Sequence, residues 1–122
     1  MTTFLKSNME ISREIVNGKS RVVGTFNIVF NGAEKPVKIK KLNFGEYNEL
    51  QRACLKMTML GGQPKMDLDP VAMNENSIFK SLLDAPFPIE MTAIRELDRE
   101  VAEEILSNVN DINMPTDKKK EN

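Results

Sequence analysis

The chain has 122 residues, with 17 Lys and Arg against 18 Asp and Glu, so its net charge is −1, and it contains no His and one Cys. A near-neutral charge gives no field that would attract nucleic acid or an anionic membrane. Without His there is no Ser-His-Asp triad and no His-ligated metal, and one Cys allows no cysteine metal cluster and no internal disulfide. We therefore expect no enzyme activity, no cofactor and no metal, and we look for the function in binding and assembly.

The sequence also predicts a compartment and a domain organisation. The first residues contain no apolar run long enough for a signal peptide, and no stretch of about 18 apolar residues predicts a transmembrane helix. A lone Cys is typical of a reducing compartment, so we expect a cytoplasmic protein. Residues 1–113 are predicted to form a single domain, and 114–122 a flexible charged tail.

The N-terminal part is predicted to be an antiparallel β-meander over residues 9–42. Asn17-Gly18 tolerates positive φ at both central positions of a hairpin turn, and a second turn is predicted over 31–35, with Pro36 opening the next strand. Apolar residues alternate with polar ones from Val23 to Phe30, and again from Pro36 to Leu42, which is typical of half-buried strands.

Residues 7–16 are compatible with either a strand or a helix. The Ser-x-x-Glu spacing of Ser7 and Glu10 is that of a helix capping box, but the first hairpin needs a partner strand, which favours a strand. Lys38, Lys40 and Lys41 could form a nucleic-acid patch, but no aromatic residue is interleaved with them. We interpret them as a solvated strand edge.

Residues 43–112 are predicted to form two or three packed helices, which makes the fold class α+β. Asn43 and Glu46 have the spacing of a capping box, and an apolar stripe of Tyr47, Leu50, Cys54 and Met57 follows at helical spacing. This predicts a helix that Gly61-Gly62 ends near Leu60, with a loop over 63–69.

Further helix boundaries follow from capping residues and prolines. Asp69 is predicted to cap a helix that starts at Pro70 and runs to about Asp84. Pro86-Phe87-Pro88 is predicted to be an extended linker that exposes its ring. Thr92 is predicted to cap a short turn over 93–96, and Asp98 a longer helix to about Asn110. Leu50 and Ile105, each central to its apolar stripe, are predicted to share one core.

The layout of residues 36–113 resembles the tail assembly chaperones of long-tailed phages and related archaeal viruses. The resemblance lies in the strand-to-helix step from Val37 to Tyr47, in the segment Pro86 to Leu97, and in the final helix, which ends on Val109-Asn110-Asp111-Ile112-Asn113. It implies a non-enzymatic protein of the host-cell cytoplasm that holds the helical tape measure protein soluble until tail tube protein assembles around it. It also implies protein partners only, with no nucleic acid and no membrane, and it leaves self-association open.

A chaperone of this kind needs an exposed apolar surface with adaptable side chains, and unbranched Met is suited to repacking against varied partners. Apolar residues close to chain-breaking Gly and Pro are the best candidates, because loops tend to expose them. The predicted partner-binding residues are Met57, Met59, Leu60, Met66, Phe87 and Met91.

Other functional classes remain open from the sequence. The chain could be a structural virion subunit, such as a tail-completion or connector protein, or a small cytoplasmic interaction or regulatory protein. An enzyme is the least favoured class, because no catalytic side chains converge. Lys118-Lys119-Lys120 are interpreted first as a solubilising tail, since charged chain ends usually are. The alternative follows from the resemblance, which implies a longer frameshifted form whose slippery site the codons of these lysines would supply.

Overall fold

The computed structural model describes residues 9–114, and it has the predicted α+β fold. The tail predicted over 114–122 lies, apart from Met114, outside the described residues, and so does the lysine run of the frameshift hypothesis. The elements in chain order are β1 (Glu10–Val16), β2 (Lys19–Phe30), β3 (Ala33–Lys40), α1 (Phe44–Ala53), β4 (Leu55–Leu60), β5 (Gln63–Leu68), α2 (Pro70–Ser81), β6 (Leu82–Asp84), α3 (Met91–Arg95) and α4 (Arg99–Asn113).

The N-terminal meander forms most of a four-stranded antiparallel sheet with the order β1-β2-β3-β6. Asn17-Gly18 turns as predicted, with φ of 51° and 82°. The second turn is shorter than the predicted 31–35, because Asn31-Gly32 alone forms it, with φ of 54° and 82°, and β3 already begins at Ala33. Residues 10–16 are a strand, as favoured. The sequence missed β6, because a three-residue strand carries almost no periodic signal.

One face of the sheet packs against α2, α3 and α4 to form the main core. Phe26, Ile28, Val37 and Ile39 point to this face, and the cluster continues through the helices with Ile78, Leu82, Phe87, Ile94, Ile105, Val109 and Ile112. Leu50 belongs instead to a second cluster with Leu42 and Cys54. The prediction that Leu50 and Ile105 share one core is therefore wrong.

Gly24 in β2 allows the side chains of Met9 and Ile112 to lie close to the strand backbone. A Cβ atom built at this position would lie 2.5 Å from Met9 Sδ and 3.2 Å from Ile112 Cδ1. Real Cβ contacts are longer than the first of these distances, so the absence of a side chain at Gly24 lets the end of α4 and the residue before β1 pack on the sheet.

Ion pairs cover part of the opposite face of the sheet. Lys38 Nζ lies 3.0 Å from Glu14 Oε1, and by strand register this bridge crosses β2 above Val23, which is fully buried. Lys40 Nζ lies 3.0 Å from Glu46 Oε2. The interpretation of Lys38 and Lys40 as a solvated edge is wrong, because β6 pairs with β3 at Lys38 and Ile39 and because both lysines form salt bridges.

The predicted capping box at the start of α1 is confirmed, and it ties the helix to the sheet. The Asn43 side chain accepts from the Glu46 backbone N–H at 2.8 Å, and Glu46 Oε1 accepts from the Asn43 backbone N–H at 3.0 Å. Arg21 also pairs with Glu46 and donates to the Lys41 carbonyl at 2.9 Å. Partial burial raises the pKa of Glu46, but hydrogen bonds from Arg21, Asn43 and Lys40 outweigh it and lower the pKa from 4.5 to about 2.

The largest difference from the prediction is in residues 54–68. The helix predicted to reach Leu60 ends at Ala53, and the chain then forms the hairpin β4–β5 in place of the rest of the helix and the predicted loop. Gly61 and Gly62 adopt φ of 58° and 79°, so they form the hairpin turn and do not end a helix.

Smaller corrections concern the later helices. Asp69 caps α2 and Pro70 starts it, as predicted, but α2 ends at Ser81 because the chain turns into β6. Thr92 does not cap α3, which begins at Met91 after Glu90. Asp98 is the residue before α4, without a side-chain capping bond, and α4 continues to Asn113. No helix within residues 9–114 has the length and apolar character needed to cross a membrane.

Candidate protein-binding surface

The hairpin β4–β5 stands apart from the main sheet as its own two-stranded ribbon. Its base is closed where the Asp69 backbone N–H donates to the Cys54 carbonyl at 2.9 Å. Every residue from Leu55 to Leu68 is exposed. The ribbon therefore projects from the domain and packs neither of its faces into a core.

The two faces of this ribbon differ sharply in polarity. The register pairs Leu55 with Leu68, Met57 with Met66 and Met59 with Pro64, and side chains of directly opposed residues share a face. The alternate positions carry the other face, which consists of Lys56, Thr58, Leu60, Gln63, Lys65 and Asp67. We call the first set the apolar hairpin face; it consists of Leu55, Met57, Met59, Pro64, Met66 and Leu68.

The apolar hairpin face is extensively exposed. Met57, Met59 and Met66 are 61%, 65% and 53% exposed, and Leu55 and Leu68 at the base are 43% and 40% exposed. At roughly 150–200 Å² for a fully exposed large side chain, these five residues present about 400–500 Å² of mainly apolar surface. The largest apolar patch on a monomeric protein is about 300–600 Å² and is often functional, so this face is a candidate interaction surface.

The same surface continues onto α1. A cleft of about 380 Å³ lies at the base of the hairpin, lined by Leu55 and Leu68 together with Asn48, Gln51 and Arg52 of α1. Phe44 stands four residues before Asn48, so it lies on the same side of the helix, and it is 83% exposed. Tyr47 beside it is 44% exposed. We call Phe44, Tyr47, Asn48 and Gln51 the α1 outer stripe.

The structure brings together only some of the predicted partner-binding residues. Met57, Met59 and Met66 lie side by side on the apolar hairpin face. Leu60 is 65% exposed but lies on the polar face of the hairpin. Met91 is half-buried at the start of α3, away from the hairpin.

Phe87 was expected to be exposed, and that expectation is wrong. It is only 8% exposed, and its ring centroid lies 5.7 Å from that of Phe30 at an interplanar angle of 49°. Phe30 is the last residue of β2, so Pro86-Phe87-Pro88 lies against the end of that strand and places the Phe87 ring in the core. Phe87 is therefore a core residue and no longer a candidate for partner binding.

Sequence reasoning missed Leu55, Pro64 and Leu68 as members of the surface. The signal was present, because apolar residues occupy every second position from Leu55 to Met59 and again from Pro64 to Leu68. A two-residue glycine turn between two alternating runs indicates a hairpin.

Two other clefts lie over the end of β2, one of about 270 Å³ beside Phe30 and Phe87 and one of about 500 Å³ lined mainly by polar side chains. Burial, and then the nearby charge of Asp69, raises the pKa of the Cys54 thiol, so Cys54 is not a reactive cysteine. Glu103 pairs with Arg99 at 2.9 Å on the exposed side of α4. Within residues 9–114, no group of three His, Cys, Asp or Glu side chains is arranged to hold a metal ion. Comparison of the chain with protein-family models, with curated proteins and with solved structures finds no match.

Proposed function

We propose that the protein is an assembly chaperone without enzyme activity that binds a helical segment of a client protein on its apolar hairpin face. The observation that carries this proposal is an amphipathic ribbon whose apolar side is open to solvent along its whole length. An isolated two-stranded ribbon is only marginally stable in water, so an uncovered apolar face is better explained by binding than by folding.

The dimensions of the face favour a helix as the bound element. Strands of six residues span roughly 20 Å at about 3.4 Å per residue. A helix of about 13 residues has the same length, at 1.5 Å per residue, and is about 10 Å wide. Such a helix would need an apolar stripe with steps of three and four residues, which is the pattern of an amphipathic helix.

The expected affinity is that of a reversible holding contact. The five large side chains of this face are 40–65% exposed: Leu55, Met57, Met59, Met66 and Leu68. Burying the exposed part of these side chains contributes about 4–8 kcal/mol to binding, at about 1.5–3 kcal/mol per whole side chain. Association itself costs at least about 4 kcal/mol. One hairpin therefore binds one helical segment weakly, and methionine side chains accommodate segments of different sequence.

Within this class of protein, we propose a viral tail assembly chaperone acting in the host-cell cytoplasm. Its client would be the tape measure protein, whose long helices need shielding, and its second partner would be the tail tube protein. The resemblance of residues 36–113 to these chaperones supports the assignment, together with a surface of the kind that such a client requires.

Co-expression with the client tests the proposal. The tape measure protein of the same virus should stay soluble with the wild-type chain and precipitate with the triple variant Met57→Ser, Met59→Ser and Met66→Ser. A matched control changes Lys56, Thr58 and Lys65 on the polar face to Ser and should keep the client soluble. Equal solubility of the client with both variants would contradict the proposal.

The hairpin also supports a second candidate, a structural virion subunit. A projecting arm of roughly 20 Å can reach a neighbouring subunit in a ring or tube, and the hairpin is such an arm. Mass spectrometry of purified virions separates the two functions, because a chaperone leaves the tail before completion and a structural subunit remains in stoichiometric amount.

A further inference from the structure

We propose that, when no client is bound, a second copy of this chain covers the apolar hairpin face in a two-fold dimer. In this dimer each hairpin lies on the α1 outer stripe of the partner. The inference goes beyond the proposed function, because it requires only the two surfaces of this chain, whatever the client is.

The first argument is that the two surfaces are contiguous. The cleft at the hairpin base joins Leu55 and Leu68 to Asn48 and Gln51, and the α1 outer stripe continues from there to Phe44. Phe44 is 83% exposed, so the described part of the chain leaves its ring almost uncovered. One chain thus offers an apolar ribbon and a helix with exposed rings on the same connected surface.

The second argument is the area that a stable dimer needs. The apolar hairpin face alone presents about 400–500 Å², and adding Phe44 at 83% and Tyr47 at 44% exposure brings the total to roughly 600–800 Å² per protomer. Specific interfaces bury about 800 Å² on each partner. The hairpin face by itself supplies little more than half of this area, and the combined surface approaches it.

The third argument is symmetry. In a two-fold contact, residue i of one copy touches residue j of the other, and residue j of the first touches residue i of the second. Each chain here supplies both members of the pair, a ribbon and a helix. Packing the hairpin of each copy on α1 of the other leaves neither surface exposed and closes the assembly at two copies.

This dimer would compete with the client. The α1 outer stripe of the partner occupies the surface on which we place the client helix, and it is itself an exposed helical stripe. Dimer and client complex are therefore alternative states, and the dimer protects the apolar hairpin face until a client displaces the partner copy.

Sedimentation velocity on the full chain tests the inference at protein concentrations from roughly 1 to 200 µM, the range in which weak association is resolved. The wild-type chain should reach twice its 13.8 kDa mass. Met57→Glu and Phe44→Glu should each raise the dimer dissociation constant by about 100-fold or more, because each change removes two contacts per dimer. Thr58→Glu on the polar hairpin face is the matched control and should leave the dimer intact.

Two results would overturn the inference. One is a wild-type chain that remains monomeric over the whole range. The other is a dimer that Met57→Glu breaks and Phe44→Glu leaves intact, because that pattern means that two hairpins pack on each other. Circular dichroism on both variants, whose changed residues are exposed, checks that the fold is retained.

Mixing the two variants gives a further check. A mixed dimer of Met57→Glu and Phe44→Glu contains one unchanged hairpin–helix contact, so the mixture should associate more strongly than either variant alone. No gain on mixing counts against the hairpin–helix contact. A wild-type chain that binds the client and yet stays monomeric when no client is present would contradict this inference and leave the proposed function standing.

Discussion

Glu46 is the charged group whose loss should weaken the fold most clearly. It caps α1 through the Asn43 backbone and bonds Arg21 and Lys40 of the sheet, and its pKa is lowered from 4.5 to about 2. The Glu46 side chain is only 22% exposed, so solvent screens these contacts incompletely. At 1.36 kcal/mol per pKa unit, the ionised carboxylate contributes on the order of 3 kcal/mol to the free energy of unfolding.

The sign of the pH dependence follows from the lowered pKa. The contribution is fully present above 4.5, the ordinary pKa, and is lost as pH falls toward about 2. Glu46→Gln keeps an oxygen for the Asn43 cap and removes the charge, so it should lower the free energy of unfolding at pH 7 by about 3 kcal/mol.

Urea unfolding of wild type and Glu46→Gln at a series of pH values between 2 and 7 measures this difference. The two free energies should lie well apart at pH 7 and converge as the pH approaches 2. A constant difference across the series, or none at pH 7, would refute the role given to the carboxylate. Glu49→Gln is a matched control from the same helix, because the Glu49 side chain is 63% exposed, and it should change stability by less than about 1 kcal/mol.

The remaining predictions concern core positions and are read by urea unfolding. Gly24→Ala should cost about 1 kcal/mol, the low end for overpacking, because the added methyl meets the flexible Met9 side chain. Met9→Ala should relieve part of that cost in the double variant, and additive effects of the two changes would contradict the contact between Gly24 and Met9. Ile105→Ala and Leu50→Ala should each cost about 2–5 kcal/mol because both side chains are buried, and since they lie in separate clusters their effects should add. Phe87→Ala should lower the free energy of unfolding by about 3–5 kcal/mol, because the ring is buried, and the molecules that remain folded should bind the client as wild type does. If folded Phe87→Ala protein does not bind the client, Phe87 belongs to the binding surface.

The β-meander was predictable because the turn residues and the alternating polarity of the strands both indicate hairpins at the same positions. Asn17-Gly18 and Asn31-Gly32 require a conformation that few other pairs adopt readily, and the strands beside them alternate in polarity. The capping box at Asn43 fixed the start of α1 for the same reason, since it is a local hydrogen-bonding pattern.

The candidate site was predicted only in part, because one segment satisfies two periods. Leu50, Cys54 and Met57 have helical spacing, while Leu55, Met57 and Met59 have strand spacing. Residues 55–60 form a strand because they pair with β5 and because the Asp69 backbone N–H donates to the Cys54 carbonyl at the base of the hairpin. Neither interaction can be recognised from the sequence alone. The position of Phe87 depends in the same way on tertiary packing, here with Phe30.

Amide hydrogen exchange with and without the client tests the central claim most directly. If a client helix binds the apolar hairpin face, its addition should slow exchange across residues 55–68 and leave the β1–β2 ladder unchanged. In the Met57→Ser, Met59→Ser and Met66→Ser variant the same addition should have no effect on those residues. Slowed exchange in the meander, with residues 55–68 unaffected in the wild-type chain, would show that the client binds elsewhere.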